Sequence, residues 1–340
     1  MTRHLTAFAA TALAILALLA LNLLLGSVHI PAHAVADILL GGESPSPVWT
    51  NILLKSRLPQ ALTAIVAGAG LSIAGLQMQT VFRNPLAGPT VLGISSGASL
   101  GVACVVLVSG TLGGVALSSI GVAGNVALTL AAILGALAVM AIIIFVAQRV
   151  EAGVTLLIIG VMIGYVANAV IGVLKFFSVE EDIRAYVVWG LGSFARVSGD
   201  QLPLFFTLMA ILLPLSFLLV KTMNILLLGE RYARNLGLDV RRARLLVILS
   251  SGILTAIVTA YCGPIAFLGM AVPHLCRALW RTSDHRLLMP ACLLMGALLA
   301  LLCNLIARLP GFEGALPVNS VTALIGAPVV VAVLLRRKKK

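Results

Sequence analysis

About ten runs of mainly apolar residues, each close to the roughly 20 that carry a helix across a bilayer, follow one another along the chain. That pattern excludes most soluble folds. The runs are Leu5–Gly26, Leu58–Val81, Val91–Val108, Val122–Ala147, Val154–Leu174, Leu202–Val220, Leu245–Tyr261, Ile265–Leu279, Leu287–Ala307 and Val318–Leu335. Little chain is left over, so the expectation is one all-α, polytopic membrane domain over residues 1–340. Composition points the same way, with 61% hydrophobic and 10% charged residues and a mean hydropathy of +1.13. Soluble domains are about 45–50% apolar. Arg3 and the later Ala32-His33-Ala34 give the first run the outline of a secretory signal. Its apolar core is longer than the roughly 7–15 residues of such a signal, so it is read as a retained helix.

The formal charge of +12 invites a nucleic-acid partner until its distribution is drawn. With an even number of spans and the N-terminus inside, Arg3, Arg83, Arg149, the basic residues from Lys221 to Arg244, Arg277, Arg281, Arg286 and the terminal Arg336–Lys340 run share the cytoplasmic side. Lys55, Arg57, Lys175, Arg184, Arg196 and Arg308 fall outside beside most of the acids. This is the positive-inside asymmetry, with both termini cytoplasmic, and it makes membrane lipid the partner of the charge and nucleic acid no partner.

No constellation for chemistry stands out. Cys104, Cys262, Cys276, Cys292 and Cys303 lie in apolar runs without C-x-x-C spacing, and neither His274 nor His285 belongs to a set with metal-ligand spacing, so no metal and no resident cofactor are expected. Paired acids and a G-x-S-x-G elbow are absent, so the chain is not read as an enzyme. Transport remains. None of the 11 acids falls inside an apolar run, whereas ion-coupled carriers place ionisable groups at mid-membrane depth, which disfavours a secondary transporter. No Lys follows a Gly, so a phosphate-binding P-loop is missing and any ATP and Mg would sit on a partner ATPase.

Three interruptions are informative. From Asn84 to Ala98 two prolines and several glycines break an apolar run, which suits either a tight re-entrant turn or the wall of a transport path. Small residues three and four apart in Ala67–Gly75, and again at Gly97/Gly101 and Gly160/Gly164, allow close helix packing in lipid. The outer stretch Ser178–Gln201 suits short interfacial helices with Trp189 at the membrane surface. The longest charged passage in the interior is GERYARNLGLDVRRAR, Gly229–Arg244, at the end of a basic segment spanning 221–244. There Glu230 and Arg234 are spaced i,i+4, Tyr232 and Leu236 share a helical face, Gly237 suits a helix stop and Asp239 can cap the next helix. A docking surface and a loop that is basic by topology both fit.

Several motifs, in one order over nearly the whole chain, then resemble a known family: RLP at Arg57–Pro59, GLSIAGLQMQTVFRNPLAGPTVLGISSGA at Gly70–Ala98, WGLGS at Trp189–Ser193, the Gly229–Arg244 passage, GPIAFLGMAVPHLCR at Gly263–Arg277 and LPVNSVTALIGAP at Leu316–Pro328. The chain resembles the FecCD-type permeases of ATP-binding-cassette importers for iron siderophores, haem and vitamin B12. The resemblance implies a ten-helix subunit of the type II importer permease fold in the bacterial inner membrane. It further implies a second permease copy in a homodimer, two cytoplasmic ATPase subunits and a periplasmic binding protein. The implied cargo is an iron chelate, siderophore or haem, with vitamin B12 as the alternative.

Carried over residue by residue, the resemblance makes Gly229, Glu230, Arg231, Ala233, Arg234, Leu236 and Gly237 the ATPase-coupling element and Arg57 and Arg308 the docking arginines for the binding protein. It assigns Ala152, Gly153 and Val154 to a cytoplasmic gate, with Gly160, Gly164 and Asn168 facing the path. Five positions depart from the family pattern. Gln60 stands for a second arginine, Asn304 for an aspartate, and Ala266 and Asn319 each for a glycine. The first of these is expected to leave the docking surface one charge poorer, and Glu313 lies two residues earlier than the usual glutamate.

Overall fold

A computed structural model describes residues 2–42, 46–113, 122–149, 153–197, 199–309 and 315–337. The helices are α1 (Thr2–Leu24), α2 (Ala32–Leu39), α3 (Pro47–Ile52), α4 (Leu58–Val81), α5 (Ile94–Gly113), α6 (Val122–Ala147), α7 (Gly153–Phe177), α8 (Glu180–Gly190), α9 (Gln201–Phe217), α10 (Val220–Leu227), α11 (Glu230–Asn235), α12 (Val240–Cys262), α13 (Leu268–Trp280), α14 (His285–Ala307) and α15 (Val318–Arg337). A π turn, Leu53–Arg57, joins α3 to α4, and 3-10 turns lie at Pro89–Leu92 and Phe194–Arg196.

Each expected apolar run coincides with a helix, but the helices are not equal. The fold is that of a polytopic bundle in which α1, α3 running into α4, α6, α7, α12 and α14 are each long and apolar enough to cross a bilayer. The pair α9 and α10, bent by 44°, forms a further broken span. The expected span Ile265–Leu279 is corrected: α13 has only 13 residues and rises about 20 Å, short of a ~30 Å hydrocarbon core. Gly263-Pro264 ends α12, and the chain runs non-helical to Phe267, whose φ is 67°. Broken backbone of this kind needs partners from within the protein. Asn319 supplies one, its Oδ1 accepting from the Ala266 amide at 3.0 Å. The two residues that replace family glycines therefore touch each other.

The central element is α4, packed against α12, α13 and α14. In lipid the helices gain little from excluding water from one another, so close backbone approach and interhelical hydrogen bonds hold them. A Cβ on Gly75 would fall 1.6 Å from the Gly269 carbonyl oxygen, and one on Gly68 2.3 Å from that of Gly296. Only glycine allows those contacts. Ser72 Oγ donates to the Cys292 carbonyl at 2.7 Å, Ser251 Oγ to that of Ala74 at 3.0 Å and Gln77 Nε2 to Ser250 Oγ at 2.9 Å, which ties α4 to α14 and α12.

One expectation about the outer stretch fails. Trp189 is only 1% exposed and packs near Tyr186, with ring centroids 6.5 Å apart. It closes the core under α8 instead of lying at the membrane surface, because the following Gly192 and Ser193 fold back onto the end of α12, where the Ser193 amide donates to the Cys262 carbonyl at 2.7 Å.

Candidate functional site

At one end of the bundle α11 stands between two glycines in left-handed or mirror-extended backbone, Gly229 (φ 103°) and Gly237 (φ 79°). The stop at Gly237 is a double-bonded one: the Leu238 amide donates to the Ala233 carbonyl at 3.0 Å and the Gly237 amide to that of Arg234 at 2.9 Å. Asp239 then caps α12, its Oδ1 accepting from the Arg242 amide at 3.1 Å. Glu230 is clipped to Arg244 on α12 and lies 3.9 Å from Arg234 on its own helix. The short helix is thus fixed in direction by its ends and by one ion pair.

That geometry sorts the predicted coupling residues. Arg231, Arg234, Leu236 and Gly237 are exposed, and Tyr232 (68%) and Leu236 (63%) form the apolar part of the outward face. Ala233 is corrected from a contact residue to a core one. It is fully buried with Leu226, Val240 and Ala243, on the edge of α11 that turns toward α10 and α12. Glu230 likewise acts inward, through Arg244. Arg244 and Tyr232 were not among the predicted site residues. For Tyr232 the signal is present in the sequence: it pairs i,i+4 with Leu236 on an otherwise polar helix.

At the opposite end the predicted docking pair separates. Arg57 is 1% exposed. Its Nη1 donates to the Leu23 and Leu24 carbonyls at 2.7 and 2.9 Å, and Nη2 donates to that of Val28. These are carbonyls at and just beyond the C-terminal end of α1, where a helix leaves its last acceptors unbonded, and an arginine there satisfies them. Arg57 is therefore corrected from a docking residue to a buried clamp between α1 and α4. Arg308, at the end of α14, is half-buried. Burial first and the Arg57 charge second push its guanidinium below the ordinary range, and its Nη1 is buried without a hydrogen-bond partner among the described residues.

The expected loss of one docking charge at Gln60 is corrected by the same region. Gln60 is buried, and its Nε2 donates to Asn304 Oδ1 at 3.0 Å. Asn304 Nδ2 donates to Asn22 Oδ1 at 2.8 Å, and Asn22 Nδ2 to the Leu301 carbonyl at 3.1 Å. The two departures from the charged family pattern form one neutral amide chain joining α1, α4 and α14. A charged arginine–aspartate pair would demand more desolvation in this place than an amide pair does.

The expected path residues meet the broken segment. Gly160, Gly164 and Asn168 on α7 line an open groove of about 260 Å³ with Thr90, Gly93 and Ser96. Gly160 itself is buried under the 3-10 turn, since a Cβ there would lie 2.8 Å from the Leu92 Cα. Asn168 is exposed. The turn after α4 packs on α7 and forms part of the wall of this groove. Of the gate residues, Ala152 lies outside the described residues, Gly153 begins α7 and Val154 is exposed. Glu313 also lies outside the described residues.

Comparison with known proteins covers the same length of chain. The model of the FecCD transport family matches residues 13–336. The vitamin B12 import system permease protein BtuC of Klebsiella pneumoniae is 38% identical over 298 residues, 87% of this chain and 86% of that protein. Its namesake from Escherichia coli O127:H6 is 37% identical over 299 residues, 88% of each chain. Among solved structures, an inward-facing conformation of a protein assigned to the metal-chelate type of ABC transporter superposes with a TM-score of 0.82. It is 28% identical and covers 97% of this chain and 99% of that one.

Proposed function

The chain belongs to the FecCD transport family and is a permease subunit of an ATP-binding-cassette importer, and on that premise we propose that its cargo is a corrinoid of the vitamin B12 type. The observation that carries this reading is the 38% identity to a vitamin B12 permease over 87% of the chain. An iron chelate is the second reading, favoured by the likeness to the metal-chelate type transporter. Cargo binding by the cognate periplasmic binding protein separates them. Calorimetric titration with cyanocobalamin should give a saturable complex, and saturation by haem or a ferric siderophore with none by cyanocobalamin would replace the first reading with the second.

The proposed partners are two ATPase subunits, a binding protein and a second permease copy. We assign the ATPase contact to the outward face of α11, with Tyr232 and Leu236 as its apolar centre and Arg231 and Arg234 beside them. A short helix held by two glycines, a cap and an ion pair can transmit a push without melting. On the other side Arg308 is the group we assign to binding-protein docking, because its side chain, unlike that of Arg57, stays partly exposed and a guanidinium forms strong, charge-assisted bonds with a carboxylate. The groove at Gly160, Gly164 and Asn168 is proposed as one half of the path, and Val154 as part of its gate. In this arrangement the α11 end and both termini face the cytoplasm of a bacterial inner membrane, and ATP and Mg bind only to the partner ATPase.

A further inference from the structure

Beside α11, but distinct from its outward face, lies a cavity of about 430 Å³ at the same end of the bundle, between the end of α4, the loop after it, α13 and the start of α14. Arg83, Arg277, His274 and His285 line it, with the hydroxyls of Thr80 and Ser283. No carboxylate is among its lining residues. The two nearest acids are committed elsewhere: Asp284 accepts from Asn224 Nδ2 at 2.6 Å and from the Arg286 amide at 2.9 Å, and Glu230 is paired with Arg244.

The lining groups are held in place by the fold. His274 Nε2 donates to the Pro85 carbonyl at 2.8 Å. His285 is fixed from both sides, Nδ1 to Asn224 Oδ1 and Nε2 to Thr80 Oγ1, each at 2.8 Å. Arg277 is anchored to Gln79 Oε1. Arg83 differs from these. It is exposed, sits in left-handed backbone at φ 48° just past the end of α4, and among the described residues its guanidinium makes one long hydrogen bond, 3.4 Å, to the Leu227 carbonyl. Past the left-handed turn a loosely held guanidinium lines the same cavity as a second, anchored one.

Two guanidinium forks and the Ser283 hydroxyl lining one cavity suit the oxygens of a tetrahedral anion, and arginine binds phosphate bidentately where carboxylates do not compete. The cavity is larger than one inorganic phosphate needs, which leaves room for an attached group. We propose that this cavity is a binding site for a phosphate-bearing anion, either a phospholipid headgroup or a free phosphate, with Arg83 as the mobile member of the clamp. An acidic side chain from a partner protein is the competing occupant. It is less suited, because a single carboxylate engages one arginine fork and leaves the second charge unanswered.

The test uses the full chain purified in detergent, with thermal unfolding followed at constant ionic strength set by chloride. Inorganic phosphate is the first probe and phosphatidylglycerol, against phosphatidylcholine, the second. At least one probe should stabilise the wild-type chain in a saturable way. Arg83→Gln, which unfolds at the wild-type temperature without probe, should bind that probe ~10-fold more weakly, the worth of one charge-assisted bond. Arg277→Gln should do the same. Arg286→Gln, an exposed arginine outside the lining, should not. Stabilisation by phosphate assigns the site to a free anion, and stabilisation by phosphatidylglycerol alone assigns it to lipid; both support the site. No saturable effect of either probe would overturn it. So would effects that Arg83→Gln leaves unchanged, or protection of Arg83 from chemical modification by the ATPase subunit alone and by neither probe.

Discussion

The two ends of this bundle carry polar residues in similar sequence settings and use them in opposite ways. At the α11 end the charged helix is turned outward: Arg231, Tyr232, Arg234 and Leu236 are exposed, while Glu230 is tied inward to Arg244 and Ala233 is buried. At the other end Arg57, Gln60, Asn304 and Asn22 are all buried and spend their hydrogen bonds on backbone and on one another. What separates them is the demand of nearby backbone. The end of α1 presents carbonyls with no helical partner, and Arg57 is within reach. By contrast α11 satisfies its own ends through Gly237 and its neighbours. A polar side chain is free for a partner only where the fold has no prior use for it.

Substitutions can break that contrast or sharpen it. The largest effect is expected from Asn304→Asp, which places a charge in the buried amide chain and removes the donor to Asn22. Thermal or denaturant unfolding should show a loss of about 3 kcal/mol. Adding Gln60→Arg should recover most of it by re-forming an ion pair. If instead the single change were tolerated, the region would be a hydrated surface and not an internal network.

Arg57→Leu comes next, at about 2 kcal/mol, because it removes the donors to the Leu23, Leu24 and Val28 carbonyls. Wild-type stability with lost capture of the binding protein would return Arg57 to a docking role. Gly237→Ala should cost roughly 1 kcal/mol through its left-handed backbone, and should reduce ATP-driven uptake by altering the stop of α11. The smallest effect on stability belongs to Tyr232→Ala and Leu236→Ala, within about 0.5 kcal/mol. A larger loss in either would mean that this face is packed and not presented.

The order of helices was legible in the sequence because an apolar run in lipid can be satisfied in few ways, and α4, α6, α12 and α14 follow their runs closely. The local structure around α11 was equally legible, since its stop, cap and i,i+4 pair are local signals. What escaped were facts that depend on a distant partner. The non-helical entry to α13 is held by Asn319, more than 50 residues away, whose side chain accepts from the Ala266 amide. Arg57 reads as an arginine at a membrane edge until the end of α1 is placed beside it. Gln60 and Asn304 looked like two separate departures, and only their contact shows them to be one exchange.

On the proposed reading, the outward face of α11 couples a partner ATPase to transport. The most direct measurement is uptake of cyanocobalamin into proteoliposomes holding the permease, its ATPase and its binding protein, comparing wild type with the Tyr232→Ala/Leu236→Ala double variant. The prediction is ATP-dependent uptake by wild type, and in the double variant uptake lost while the unfolding temperature is unchanged. Undiminished uptake by the double variant, or uptake by the permease alone under a pH gradient, would contradict the claim.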